Sequence, residues 1–239
     1  GSFDYSSQEP RLLVHFASSL PDSMKHSVVD TIVDEYNNGD VDLHQMAADL
    51  AGISRKEAKV VNLGIMYGMG VGKLSNQLDI SKDEAKDILE LYNDKVPFVK
   101  QIATIASQRA TTEGQIRTIL GRRCRFHLWE PRTFGYNKAM PLAEAEKEYG
   151  GLGMLRRAFT YKALNKLIQG SAADQTKKAM VDCYAENFTP MLTVHDELCF
   201  SVQNEEQAKR ITEIMETGLP LNVPTRVDCE MGDNWGEAG

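Results

Sequence analysis

The sequence predicts an α+β fold in which the two ends of the chain build a small sheet and most of the intervening chain is helical. Three observations predict it. Ser2 to Ser7 alternates aromatic and polar residues, as a half-buried strand does. Met191 to Val202, M-L-T-V-H-D-E-L-C-F-S-V, sets two apolar arms around a polar centre, the pattern of a β-hairpin. Between these segments, helical periodicity and helix-start signals dominate.

In chain order, the first strand gives way to an amphipathic helical pattern from Pro10 to Leu20. Two capping boxes follow, Ser54-x-x-Glu57 and Ser81-x-x-Glu84, each marking a helix start. The first of these helices should run to about Met66, where Tyr67-Gly68-Met69-Gly70-Val71-Gly72 breaks it. The second should continue towards Arg109 with a kink or junction at Pro97. Glu130 to Gly153 mixes Pro, Gly and charge without a clear period and reads as loop with a short helix. Ala158 to Asn187 reads as one long helix interrupted only by Gly170. The hairpin centred on His195-Asp196-Glu197 comes next, then a helix from Glu205 to Thr217 and a strand from Thr225 to Met231.

With 239 residues and 42% apolar content, the chain can bury one large core or two smaller interleaved ones. It contains no apolar run of about 18 residues and no basic segment followed by a hydrophobic stretch at its start, which predicts neither a membrane span nor a secretory signal. Cys124, Cys183, Cys199 and Cys229 form no C-x-x-C pair, so a zinc site is not expected, and they read as buried or free thiols of an intracellular, reducing compartment.

The net charge of −7 argues against a phosphate-rich partner until its distribution is considered. Arg109 to Arg132 holds six Arg against two Glu, a net +4, and Arg156 to Lys178 holds six basic residues against Asp174, a net +5. Solvated helix faces would account for both runs equally well, so the motifs must decide.

Asp4 at a strand end and the Asp196-Glu197 pair at a hairpin turn could converge if their strands were neighbours. Hard oxygen ligands of that kind suit Mg²⁺, which keeps waters and takes its remaining positions from phosphates. Two such ions would clamp the attacking and leaving oxygens of a phosphoryl transfer. After Ser54, the residues Arg55, Lys59, Leu63 and Tyr67 recur every four positions and lie along one slanted helix face, advancing about 40° each time. A cationic end beside a helix N-terminus could hold a triphosphate, and Tyr67 could offer a base a stacking surface. The glycines nearby make neither a Walker loop nor a dinucleotide loop, because Tyr67 and Leu74 occupy positions that would need Gly and Ser or Thr, and Lys73 stands three after Gly70.

Three segments, Asp4-Tyr5-Ser6-Ser7-Gln8-Glu9-Pro10-Arg11, Arg55-x3-Lys59-x3-Leu63-x3-Tyr67-Gly68 and Val194-His195-Asp196-Glu197, together resemble the A, B and C motifs of family A DNA polymerases. That group comprises bacterial polymerase I and its phage and organellar relatives. Thr118-x-x-Gly121-Arg122-Arg123 and Asn165-x3-Gln169-Gly170-Ser171-Ala172-Ala173-Asp174 are also similar to segments of the family, in the same order.

The resemblance implies a right-hand polymerase palm, a small antiparallel sheet drawn from residues 1–24 and 156–239, with helical fingers inserted over 25–155 and the thumb absent. It implies that Asp4 and Asp196 bind two Mg²⁺ ions with the backbone of Tyr5 helping, and that Glu197 supports the site near the primer terminus. Glu9 would be the steric gate that leaves no room for a 2′-hydroxyl. Arg55, Lys59 and His44 would contact the triphosphate, with Lys59 as general acid towards the departing pyrophosphate. Leu63 would lie against the sugar, at a position where relatives carry Phe or Tyr. Tyr67 and Gly68 would sit beside the templating base, and Asn165, Gln169, His195, Arg122 and Arg123 would contact template or primer. Tyr161-Lys162 stands where an Arg is usual four residues before the Asn.

The expected reaction is addition of dNTPs to a primer 3′-hydroxyl on primer–template DNA. Thumb and exonuclease would come from an upstream domain or a second polypeptide. Two other readings fit the same residues: a single-subunit RNA polymerase, against which Glu9 argues, and a nucleic-acid-binding fragment that is inactive without its thumb.

Overall fold

The computed structural model describes residues 1–39, 41–66, 69–133 and 138–238. In chain order the elements are β1 (Ser2–Tyr5), α1 (Gln8–Ser18), α2 (Val28–Asn38), α3 (Leu43–Ala51), α4 (Arg55–Met66), α5 (Val71–Leu78), α6 (Lys82–Lys95) and α7 (Pro97–Glu113). There follow β2 (Gln115–Arg117), β3 (Arg123–Arg125), β4 (Leu128–Pro131), β5 (Met140–Pro141), α8 (Leu142–Tyr149) and β6 (Leu155–Arg157). The chain ends with α9 (Ala163–Ala185), β7 (Pro190–Val194), β8 (Glu197–Phe200), α10 (Glu205–Thr217) and β9 (Val227–Glu230). These residues form two compact units, one of 1–46 with 168–239 and one of 47–167.

In the first unit a four-stranded antiparallel sheet has the order β7-β8-β1-β9, so the amino-terminal strand lies in the middle. Period-two alternation decides its faces. Phe3 and Tyr5 turn to one side, where they pack with Leu198, Phe200 and Val227 and with Cys183 of α9 and Ile211 and Met215 of α10. Phe3 and Phe200 meet edge to face at 5.5 Å, and the Tyr5 hydroxyl donates to the carbonyl of Met215 at 3.1 Å. Asp4, between Phe3 and Tyr5, points to the other side. Arg11 is buried because it has partners: Nε donates to the Ser6 carbonyl at 2.9 Å, an Nη to the Pro224 carbonyl at 2.6 Å, and its guanidinium lies 5.1 Å over the Tyr36 ring.

In the second unit both capping boxes form. Ser54 and Glu57 exchange hydrogen bonds of 2.7 and 3.2 Å at the start of α4, and Ser81 and Glu84 bonds of 2.8 and 3.2 Å at the start of α6. The junction at Pro97 is real: α6 ends at Lys95, and Pro97 opens α7 at a position where a missing N–H costs nothing. α4 packs on α5 and α7, and the Tyr92 hydroxyl of α6 is hydrogen-bonded to the Asn62 side chain of α4 in the interior. β2 and β3 form a hairpin closed by Thr118 to Arg122, where Gly121 takes φ +82°.

Two expectations need correction. The stretch from Glu130 to Gly153 is not mainly loop. Its described residues include strand and helix, and β4, β5 and β6 form a sheet of order β5-β4-β6 under α8, with Met140, Ala145 and Leu155 as its own small core. Its strands span two to four residues, too few to display a period. It is held by the Arg157 guanidinium 4.5 Å over Trp129 and by Arg156 on Glu130 at 2.8 Å. The long helix begins at Ala163 rather than Ala158, because Phe159 adopts φ +61° and a 3-10 turn, Thr160–Lys162, intervenes. Gly170 does not interrupt it.

Candidate active site

β1 and β8 pair so that Asp4 lies opposite Glu197, and β1 and β9 pair so that Asp4 also lies opposite Asp228. Directly opposed residues share a face, so three carboxylates stand abreast on the side of the sheet away from the core. Asp196 joins them from the two-residue turn between β7 and β8, which closes through φ +56° at His195. The crowding is electrostatically costly. Asp4 is raised from the usual carboxylate range to about 6, first by partial burial, then by the charges of Asp196, Glu197 and Asp228.

Glu9 lies at the start of α1, which follows β1 after a two-residue turn with φ +53° at Ser7. Burial raises its carboxyl pKa, a hydrogen bond from the Gln169 side chain lowers it, and the charge of Asp196 raises it. Asp4, Asp196, Glu197, Glu9 and Gln169 are thus brought together within the first unit, which also holds His195 and His44. His44 is half-buried in the first turn of α3, where the Asp42 carboxylate accepts its backbone N–H at 2.9 Å. The Tyr5 ring belongs to the core, leaving its main chain for any role at the sheet surface.

Glu197 is held unusually well for a half-exposed carboxylate. Its Oε1 accepts from Ser2 Oγ at 2.6 Å, from Cys199 Sγ at 3.1 Å and from Trp235 Nε1 at 3.3 Å, and these bonds keep its pKa below the usual value. Burial and the neighbouring Glu197 push the Cys199 thiol up to about 11, so it donates as a thiol.

The second unit carries Arg55 and Lys59, both exposed, and the half-buried Leu63 along one face of α4. Tyr67 and Gly68 lie outside the described residues. Arg122 and Arg123 are exposed at the β2–β3 turn, and the half-buried Asn165 lies in the first turn of α9. Asp228, Ser2, Cys199 and Trp235 were not foreseen. Alternation within the strand from Thr225 to Met231 could have flagged Asp228, whereas nothing in the local pattern marks Trp235 as a partner of Glu197.

Among the described residues no group of three or more His, Cys, Asp or Glu side chains is arranged to hold a metal ion. The donor set fits Mg²⁺ in another way. Asp4 and Asp196 offer hard carboxylate oxygens whose mutual repulsion a divalent cation would relieve, and such an ion completes its shell from water and phosphate. Among the described residues no helix is long and apolar enough to cross a membrane.

The sequence profile of DNA polymerase family A matches residues 1–237. The chain is 35% identical to a DNA-directed DNA polymerase of Pseudomonas phage M6, covering 99% of this chain and 38% of that protein. It is 32% identical to DNA polymerase I of Bacillus caldotenax, covering 98% of this chain and 25% of that protein. Its fold is similar to the POL domain of Pol1 from M. smegmatis, solved in complex with DNA primer-template and dNTP, with a TM-score of 0.74, 28% identity, and coverage of 99% of this chain and 40% of that one. The chain therefore spans between a quarter and two-fifths of the length of these relatives.

Proposed function

Because this chain belongs to DNA polymerase family A, we propose that it is the catalytic region of a DNA-directed DNA polymerase, adding dNTPs to a primer 3′-hydroxyl on primer–template DNA. The observation that carries this reading is the pairing of Asp4 with Glu197 on one sheet face and the closeness of the turn residue Asp196 to both Asp4 and the Glu9–Gln169 pair. The sheet, drawn from both ends of the chain, is the palm, and the helical middle is the fingers.

Asp4 and Asp196 would hold two Mg²⁺ ions, with the main chain of Tyr5 as a further oxygen donor. Bound there, the ions would supply neutralisation of the charge that develops on the phosphoryl oxygens. The primer 3′-hydroxyl gives up its proton to water as its oxygen attacks the α-phosphate in line, and the bond to pyrophosphate breaks. Glu9 blocks a 2′-hydroxyl, and its bond to Gln169 fixes it for that purpose. Arg55, Lys59 and His44 bind the triphosphate, and Lys59 gives its proton to the departing pyrophosphate. Leu63 packs against the sugar and Tyr67 beside the templating base. Gly68, Arg122, Arg123, Asn165, Gln169 and His195 bind template and primer, and Glu197 lies at the primer terminus. A thumb and an exonuclease would come from chain beyond these residues or from a partner polypeptide.

Primer extension by the intact protein that carries this chain tests the assignment. Asp4→Ala and Asp196→Ala should each abolish extension while leaving the circular dichroism spectrum unchanged. Extension that survives in either variant would overturn it.

A further inference from the structure

The three hydrogen bonds on Glu197 Oε1 come from three separate places: the first residue of β1, the third residue of β8, and the 3-10 turn Trp235–Glu237 beyond β9. Ser2 and Cys199 are cross-strand partners, so their hydroxyl and thiol approach Glu197 from the same sheet face. Trp235 arrives by a chain reversal that is itself built. Asp233 donates its N–H to the Glu237 carboxylate at 3.2 Å, and the Glu237 N–H returns to the Asn234 carbonyl at 3.1 Å. The reversal needs Gly232, because a Cβ there would lie 2.7 to 2.9 Å from Glu237 and Ala238.

All three donors converge on one oxygen, and none of the three reaches Oε2. A glutamate at a hairpin would otherwise lose several rotamers on engaging a substrate, and that entropy is removed in advance. We propose that Ser2, Cys199 and Trp235 are positioning residues that anchor Glu197 through Oε1, so that Oε2 is presented in one direction as the hydrogen-bond acceptor at the primer terminus. The inference rests on the polymerase assignment above and deepens it. It makes the segment around Trp235 part of the active-site framework rather than a tail.

The test uses the intact protein and steady-state single-nucleotide incorporation. Ser2→Ala and Trp235→Phe should each lower kcat about tenfold with the KM for dNTP little changed, and Ser2→Thr, which keeps the hydroxyl, should recover most of the loss. In a Glu197→Ala background the same two substitutions should cost nothing further, because the group they position is gone. Losses that persist undiminished in that background would mark a structural role and overturn the proposal. A readout independent of turnover is Trp235 emission in a Trp129→Phe background, where Trp235 is the remaining one of the two tryptophans. Trp235 is already exposed, so Glu197→Ala should move that emission by removing the negative charge beside the indole N–H, which shifts it to the blue, and an unmoved spectrum would overturn the anchor. An intact protein that extends no primer overturns the polymerase assignment and with it the purpose given to the anchor. An active protein whose kcat ignores both substitutions overturns the anchor alone.

Discussion

A carboxyl group crowded by burial and a like charge must find a proton, a cation or a donor, and Glu9 finds the Gln169 amide. That bond fixes the side chain at a defined reach, which is what a steric gate needs. Glu9→Ala should therefore cut the preference for dNTP over NTP about a hundredfold, read as the ratio of kcat/KM values, while dNTP incorporation continues. Unchanged selectivity would remove Glu9 from this role. His15 makes a different demand. Its Nδ1 accepts the Asn222 N–H at 3.1 Å, and burial lowers its pKa below the ordinary 6.5. The unfolded chain thus takes up the proton at a higher pH than the folded one, so stability is full above about pH 6.5 and falls as the solution is acidified below it. The Tm advantage of the unmodified protein over His15→Ala should shrink between pH 7 and pH 5. At this scale Asp4, Asp196 and Glu9 were legible because short motifs carry them. Ser2, Asp228 and Trp235 were not, since their partners are chosen by strand register and by a chain reversal, both products of the whole fold.

Elements were legible where a local signal sets their ends. The helix from Glu205 to Thr217 begins where the Asn204 side chain accepts the Gln207 N–H at 2.9 Å, and α4 and α6 begin at their capping boxes. Ser81→Ala removes the acceptor of the Glu84 N–H and should lower Tm by about 2–4 °C, the effect typical of a lost cap in a protein of this size. Restoring the acceptor with Ser81→Asp should recover the melting temperature, and an unchanged Tm in Ser81→Ala would show that α6 is held by packing alone. Elements were illegible where they are short or strained. β4, β5 and β6 exist because Trp129, Leu142 and Leu155 find a common core, a condition that no window of four residues records. The delayed start of α9 follows from one residue, Phe159, in a left-handed conformation that propensity does not announce.

The division of the chain into two units separates its charge. Residues 47–167 hold 20 of the 27 Lys and Arg and 13 of the 34 Asp and Glu, a net +7, which leaves seven against 21, a net −14, for the remainder. The overall −7 thus conceals a basic unit and an acidic one, and the acidic one contains the carboxylate cluster that a divalent cation would offset. Affinity for primer–template should accordingly fall with salt as counterions are regained, despite the acidic total. Measured by fluorescence anisotropy from about 50 to 200 mM salt, the logarithmic slope should become shallower by about one for each phosphate contact removed, as in Arg122→Ala and Arg123→Ala. Both side chains are exposed, Arg122 at the end of the β2–β3 turn and Arg123 as the first residue of β3, so their loss leaves the hairpin's backbone bonds in place. Slopes identical to that of the unmodified protein would move the phosphate contacts elsewhere in the basic unit. A salt-independent affinity would instead show that the positive charge of residues 47–167 plays no part in holding DNA.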